Sequence, residues 1–445
     1  MNLYPPVLRS LLLPAYDRLK GRAYARHRAL LDASQWWDAE RLRAFQWQEL
    51  RALLAHVFRS VPYLRRKYHA AGASFEDLRS WDDFRRLPWL TRDEVNSHRD
   101  ELCSTAYTGK LLPHATGGSS GTPTRFFRTY ESYDWRTAAK DRAYSWSGWR
   151  VGERSVYLWG APVGHLSRRQ AFKTQAFEAV HRQRVFNTFS QSPELWSRIH
   201  DSIHRFRPTL IVGYVSSLEQ FADFLSRQRL ALPPVRAVIG AAEPLYASTR
   251  AVIESAFGAP VFNTYGSREF MSIAAECERR DGLHVHAENL VVETSEPDQN
   301  HPSEILVTDL HNYGMPFVRY DIGDAGTIVD GACGCGRGLP RLGVIDGRVL
   351  DLLRTADGRT VPGEFFPHLL KEVPEFAEFR VEQPRPDALV ISAVLSAPLS
   401  DRSQGLLDHE IRKVFGSATR WEIRQVPHLP KLASGKRRVT VGLAE

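Results

Sequence analysis

Residues 116–124 read TGGSSGTPT, with three glycines and five hydroxyl side chains in one short run. Gly117, Gly118 and Gly121 carry no Cβ, so consecutive backbone N–H groups can converge on an anion there. The hydroxyls of Thr116, Ser119, Ser120 and Thr122 add donors, and Pro123 stiffens the exit. No Lys-Ser/Thr pair follows the last glycine, so the run is not a Walker loop. By composition alone it is either a flexible linker or a phosphate cradle.

Four later stretches bring groups that suit a phosphate-bearing ligand. In Asn263–Phe270, NTYGSREF, Tyr265 and Gly266 follow an expected strand, with Glu269 a short way beyond. A carboxylate leaving a strand end can hold a magnesium ion on a phosphate, or it is a surface Glu in a turn. RYDIGD, Arg319–Asp324, ends an expected strand on Asp324, which can accept from ribose hydroxyls. GRVLDLL contains Arg348 and Asp351, and LPKLASGKRR presents Lys436 after a tight Ser434–Gly435 turn. The chain has no lysine between Lys173 and Lys371, so few ammonium groups are available for chemistry.

The cysteines form a separate constellation. Cys333 and Cys335 lie in CGCG, and Cys277 precedes ERRDGLHVH with His284 and His286. Three thiols and one imidazole complete a closed tetrahedral zinc site, with His284 preferred over His286. The C-x-C spacing is tighter than the usual C-x₂-C, and the alternative is two buried thiols in a glycine turn.

These groups need a scaffold. The chain has 445 residues, enough for a large core and more than one domain. Residues 15–105 have helical periodicity, clearest in QWQELRALLAHVFRSVPYLRRKYHAAG, with a break expected at Pro62. Beyond the glycine loop, RSVYLWG, PTLIVGY and VRAVIGAAEP alternate with helical segments, the signature of a parallel α/β core. SEILVTDLH and FVRYDIGDAGTIV read as antiparallel or barrel strands. A boundary near Gly347 divides the chain into 1–346 and 347–445, the second part a small α+β module. Trp159, Phe189 and Tyr214 fall near expected strand ends, where they would suit a flat acid.

Composition narrows the classes. Hydrophobic residues at 43% and charged residues at 25% are those of a globular protein. The net charge is +8, but the arginines are scattered, which favours a small anion such as a nucleotide over nucleic acid. No apolar run reaches the length of a membrane helix. The start, MNLYPPVLRSLLLPAYDRL, has an apolar patch broken by Pro14 and no cleavage site; it is not read as a signal peptide, and peripheral membrane contact stays open. Four cysteines in so long a chain do not make a disulfide framework, and a cytoplasmic location is expected.

Taken in order, TGGSSGTPT, GAAEPL, TYGSRE with AAEC, RYDIGD, CGCGRGLPRLGVIDGR and PKLASGK resemble the adenylate-forming acyl-CoA synthetase superfamily. The resemblance runs from Thr116 to Lys436 and is nearest to the phenylacetate–CoA ligase-like branch, with its CapK-type relatives. It implies an α/β fold: a large adenylation core of several subdomains, parallel sheets plus a barrel-like part, and a small mobile C-terminal domain. It also implies an ATP-dependent ligase that joins a carboxylic acid to AMP and then passes the acyl group to CoA or another thiol. An amine acceptor, or a non-catalytic nucleotide-binding relative, are the alternatives.

Roles carry over where residues match. Thr116, Gly117, Gly118, Ser119, Ser120, Gly121 and Thr122 would cradle the β- and γ-phosphates. Ala242, Glu243 and Pro244 would line the adenine, and Tyr265 with Gly266 would pack against it. Glu269 would hold magnesium, Asp324 the ribose, and Arg348 ribose or phosphate. Lys436 would reach the carboxylate and the α-phosphate. The implied ligands are ATP, Mg²⁺, a small carboxylic acid and CoA; zinc at Cys277, His284, Cys333 and Cys335 is read separately from the donor set, and either a monomer or a homodimer is compatible. Two departures matter: Leu350 stands where the family usually has an acidic residue or lysine, and RTADGRTVPGEFF differs from the glycine-rich stretch lining the pantetheine channel. Adenylation is therefore better supported than the use of CoA.

Overall fold

The computed structural model describes residues 3–116, 124–160, 168–189, 192–295, 303–346, 353–361, 363, 365–370, 372–429 and 440–442. The expected helical region forms Tyr24–Ser34, Ala39–Ser60, Pro62–Ala70, Trp81–Arg85 and Arg92–Ser97. Local chemistry sets the ends. The Asp38 carboxylate accepts from the Arg41 N–H to open the long helix. Pro62 sits at the first position of the next helix, where its missing N–H costs nothing. Reciprocal caps at Ser80/Asp83 and Thr91/Glu94 start the two short helices. On Ala39–Ser60 the buried Leu42, Leu50, Leu53, Leu54, Val57 and Phe58 recur at three- and four-residue spacing.

The apolar patch at the start behaves differently from the sequence expectation. Pro14 does not break it: Tyr4–Val7, a π turn at Leu8–Leu12, and Leu13–Lys20 form one helical run. A proline inside an α-helix removes one N–H bond and clashes with the carbonyl four residues back. The wider π turn just before Pro14 absorbs both effects.

The chain forms two compact units, each discontinuous. The first comprises 1–114, 125–152 and 262–347. Its sheet has the strand order Leu290–Thr294, Glu304–Asp309, Tyr320–Val329, Arg341–Asp346, Leu283–Val285, Ala274–Glu276 and Val261–Tyr265. The pairings are antiparallel, as the sequence patterning of 303–329 anticipates. Leu53, Val57 and Phe84 from the helices, and Leu90 between two of them, share one core with Phe270, Phe317 and Tyr320.

The second unit comprises 115–124, 153–261 and 348–445. It holds the parallel strands, in the order Ala237–Ala241, Leu210–Tyr214, Ser155–Trp159 and Gln183–Asn187. Leu210–Tyr214 and Ala237–Ala241 are buried along their whole length, which explains their continuous apolar runs. From Phe365 onward the unit has its own four-stranded sheet, ordered Arg420–Gln425, Ala388–Leu395, Phe376–Arg385 and Thr440–Val441, with helix Asp401–Phe415. Phe365, Phe379, Ile411 and Phe415 belong to the same apolar cluster as Phe189 and Tyr214. Among the described residues no helix is long and apolar enough to cross a membrane.

Helix Tyr130–Trp146 is tied into the first unit by charge as well as by packing. Arg142 Nη1 lies 2.6 Å from Glu288, with both side chains fully buried. Arg142 also reaches the Leu31 carbonyl and His286 Nδ1, and the Ser34 hydroxyl donates to Glu288. A second buried pair, Arg136–Asp309 at 2.5 Å, fastens the same helix one strand away. Removing one member of such a pair strands the other charge without water. Arg142→Met is therefore expected to lower the unfolding free energy by about 3–5 kcal/mol in urea titrations, and Arg142→Met/Glu288→Leu to recover most of that loss.

Candidate functional site

Strand Val261–Tyr265 ends on Tyr265, whose hydroxyl donates to Asp324 Oδ2 at 2.9 Å. Asp324 lies in strand Tyr320–Val329. The turn after Tyr265 is very tight: a Cβ on Gly266 would lie 1.9 Å from the Met271 carbonyl oxygen. Only glycine fits there, and the reversal brings Glu269 back toward the sheet. Glu269 is 3% exposed and accepts from the Tyr320 hydroxyl at 3.2 Å. Three residues read from separate motifs, Tyr265, Glu269 and Asp324, thus converge.

One residue missed in the sequence, Arg92, completes the group. Leu90 forms a bridge to Tyr320, its N–H donating to the Arg319 carbonyl at 3.0 Å. That bridge carries Arg92, the first residue of helix Arg92–Ser97, to within 3.5 Å of the Ile322 carbonyl. Burial opposes the charge on Arg92, but neighbouring Tyr320, Glu269 and Asp324 outweigh it and hold its pKa above the ordinary value. The Thr91–Glu94 cap fixes where this helix starts and says nothing of where the guanidinium goes.

In the second unit, Ala242 has a left-handed backbone at φ 67°. Glu243 follows it and caps helix Val215–Gln228, accepting from the Ser216 N–H at 2.6 Å and the Ser216 hydroxyl at 2.9 Å. Burial raises its pKa in spite of those bonds. Pro244 is partly buried. Thr116 and Thr124 close the neck of the glycine loop: the Thr116 N–H donates to the Thr124 carbonyl, and the Thr124 N–H to Thr116 Oγ1 at 2.8 Å. Gly117, Gly118, Ser119, Ser120, Gly121, Thr122, Arg348 and Lys436 lie outside the described residues. Trp159 stacks on Tyr214 at 4.3 Å, and Tyr214 and Phe189 are buried in the core.

The four expected metal ligands meet in the first unit. The donor atoms of Cys277, His284, Cys333 and Cys335 all lie within 4.8 Å of one another. Cys277 Sγ is 3.8 Å from Cys333 Sγ, and Cys335 Sγ is 3.4 Å from His284 Nε2. Tetrahedral zinc with its usual bond lengths needs edges of about 3.8 Å between sulfurs and about 3.6 Å between sulfur and nitrogen. His284 Nδ1 is 3.2 Å from the Leu339 carbonyl; donating there leaves Nε2 as the ligand atom. Burial lowers its pKa to about 4, which keeps the imidazole neutral. The N–H groups of Arg279 and Arg337 donate to Cys277 and Cys335, as suits thiolates. Burial pushes the Cys277 thiol up to about 12, and a bound cation would reverse that. His286 is committed elsewhere, to Ser272 and Arg142.

No protein-family model matches the chain. It is 27% identical over 329 residues to the phenylacetate-coenzyme A ligase of Thermus thermophilus, covering 71% of this chain and 72% of that protein. It is 24% identical over 356 residues to the enzyme of that name from Escherichia coli, covering 77% and 79%. Protein CapK of Staphylococcus aureus is 22% identical over 369 residues, covering 80% and 79%. Among solved structures, 2-hydroxyisobutyryl-CoA ligase in complex with 2-HIB-AMP and CoA in its thioesterification state aligns over 91% of this chain and 90% of its own. The TM-score is 0.59 at 20% identity, a likeness of fold.

The cysteine cluster has a direct test. Purified protein is expected to contain one zinc per chain by elemental analysis. Cys333→Ser should lower metal content and melting temperature together, with any activity falling only as folded protein is lost. The four donors fill the coordination shell and leave no position for substrate. Well under one equivalent of zinc in well-folded protein would reduce the cluster to reduced cysteines beside an ordinary histidine.

Proposed function

We infer that this chain is an adenylate-forming ligase of the phenylacetate–CoA ligase-like branch. It uses ATP to turn a carboxylic acid into an acyl-adenylate and passes the acyl group to a thiol, with CoA as acceptor. The observation that carries this reading is the meeting of Tyr265, Asp324 and Glu269 from motifs far apart in sequence. The ordered motifs and the ligase relatives support it further.

The chemistry assigns each group a task. A carboxylate oxygen of the acid attacks the α-phosphorus of ATP, and pyrophosphate leaves. Negative charge builds on the phosphate as it does so, and preorganised positive groups in a dry cleft lower the barrier. Residues 116–122 wrap the β- and γ-phosphates, and the Thr116–Thr124 bonds hold the loop's two ends. Tyr265 packs against the adenine, and Ala242, Glu243 and Pro244 line it. Asp324 and Arg348 hold the ribose. Glu269, a buried hard-oxygen donor, would hold a magnesium ion, which would supply neutralisation of phosphate charge. The Arg92 guanidinium offsets the charge of the Glu269 and Asp324 carboxylates. Lys436 bridges the acid and the α-phosphate. Since Lys436 belongs to residues 347–445, that module docks for adenylation and rotates to admit the acceptor. The reduced cysteines fit a cytoplasmic setting.

The departure at RTADGRTVPGEFF from a pantetheine-channel sequence favours one second reading, transfer to an amine. Pyrophosphate release over a panel of acids, with CoA and with amines, distinguishes the two. Lys436→Ala is expected to lower kcat for acid-dependent release by on the order of 10²-fold or more, with ATP affinity and folding retained. Near-wild-type turnover in that variant would remove Lys436 from the mechanism.

A further inference from the structure

The helical run 4–20 exposes an apolar face that the ligase chemistry does not use. Leu3, Val7, Leu11, Leu12, Tyr16 and Leu19 are all exposed, Leu19 to 84%. The opposite side is seated in the first unit. Pro5 and Leu8 are buried, and they approach Gly152 so closely that a Cβ there would lie 3.0 Å from Pro5 Cα. The π turn before Pro14 holds the outward row together. Leu3, Val7, Leu11 and Leu19 fall at multiples of four, which would drift around a regular α-helix but not around an underwound one.

Charge on this segment is one-sided. Arg9, Arg18 and Lys20 are exposed among the apolar residues. The one acid between residues 3 and 22, Asp17, is turned inward, where its carboxylate accepts from the Ala25 N–H at 2.7 Å. The exposed surface of the run therefore carries apolar side chains and cations and no carboxylate.

We propose that the helix 4–20 is an interfacial anchor that lies flat on an anionic phospholipid surface, its apolar row in the acyl boundary and Arg9, Arg18 and Lys20 against lipid phosphates. An aliphatic row set among basic residues is the pattern of helices that bind in the headgroup region without spanning it. A second copy of the chain is the poorer occupant. A two-fold contact through this face would set Arg9, Arg18 and Lys20 of one molecule against the same cations of the other. The proposal stands apart from the ligase assignment, since no residue of this helix belongs to the site.

The test uses the full-length chain in vesicle flotation. Wild type should float with vesicles of phosphatidylcholine containing about one-third phosphatidylglycerol and much less with phosphatidylcholine alone. Raising salt from about 0.1 M to about 1 M should weaken the difference by shortening the screening length from about 10 Å to about 3 Å. Leu11→Asp/Leu19→Asp should lower partitioning at least about 10-fold with melting temperature and pyrophosphate release unchanged. Arg18→Glu/Lys20→Glu should lower it on anionic vesicles alone. Wild type that stays with the solvent, or an aspartate variant that floats as well as wild type, would overturn the proposal. So would a wild-type dimer in sedimentation equilibrium that the aspartate variant converts to a monomer.

Discussion

Arg142 and Glu288 are both closed to solvent, and several elements of the first unit meet at their ion pair. Arg142 comes from helix Tyr130–Trp146, while Ser34 and the Leu31 carbonyl come from the end of helix Tyr24–Ser34. Arg142 also contacts His286, and His286 in turn contacts the Ser272 hydroxyl, at the end of the turn that carries Glu269. Placing two ions in a low-dielectric interior costs several kcal/mol per ion before their attraction and hydrogen bonds offset it. Apolar residues of similar volume would pack there at less cost. What they would not supply is a fixed direction for each partner, and the Glu269 turn sits at the end of that chain of hydrogen bonds.

Around this pair the unit uses close backbone approach where side chains would not fit. Gly266 lets the chain reverse against the Met271 carbonyl, and Gly338 lies where a Cβ would be 2.0 Å from the Trp37 carbonyl. The second contact joins the cysteine loop to the junction between the first two long helices. Arg337 reinforces it, bonding to Gln35 and Glu278 and lying over the Trp36 ring at 4.7 Å. A metal at Cys277, His284, Cys333 and Cys335 would thus brace the hairpin 274–285 against helical segments that begin far away in sequence. That is a structural task, and it suits a closed set of four donors.

Much of this was legible in the residues because the signals were local. Apolar runs alternating with helical segments marked the parallel strands, and the 3.6-residue period marked the long helix. Pro62 marked a boundary, and the composition of TYGSRE and RYDIGD marked Tyr265, Glu269 and Asp324. The cysteines were legible because donor type and number are chemical facts that need no fold. What escaped was set by distant pairing. Arg92 reaches the group only because Leu90 bridges to Tyr320, and nothing near Thr91 encodes that bridge. Pro14 looked like a helix breaker because its cost is local, while the π turn that absorbs it is a property of the whole run. Glu243, read by resemblance as lining adenine, also caps a helix whose start at Val215 lies on another strand's exit.

The proposed chemistry turns on one bond, formed between a carboxylate oxygen of the acid and the α-phosphorus of ATP. The most direct measurement follows that oxygen. An accepted acid labelled with ¹⁸O in its carboxylate is turned over with ATP and the acceptor, and the products are examined by mass spectrometry. If an acyl-adenylate forms, the acceptor attacks the carbonyl carbon and the AMP that leaves carries one labelled oxygen. Unlabelled AMP, or label found in inorganic phosphate with ADP as the co-product, would exclude an acyl-adenylate.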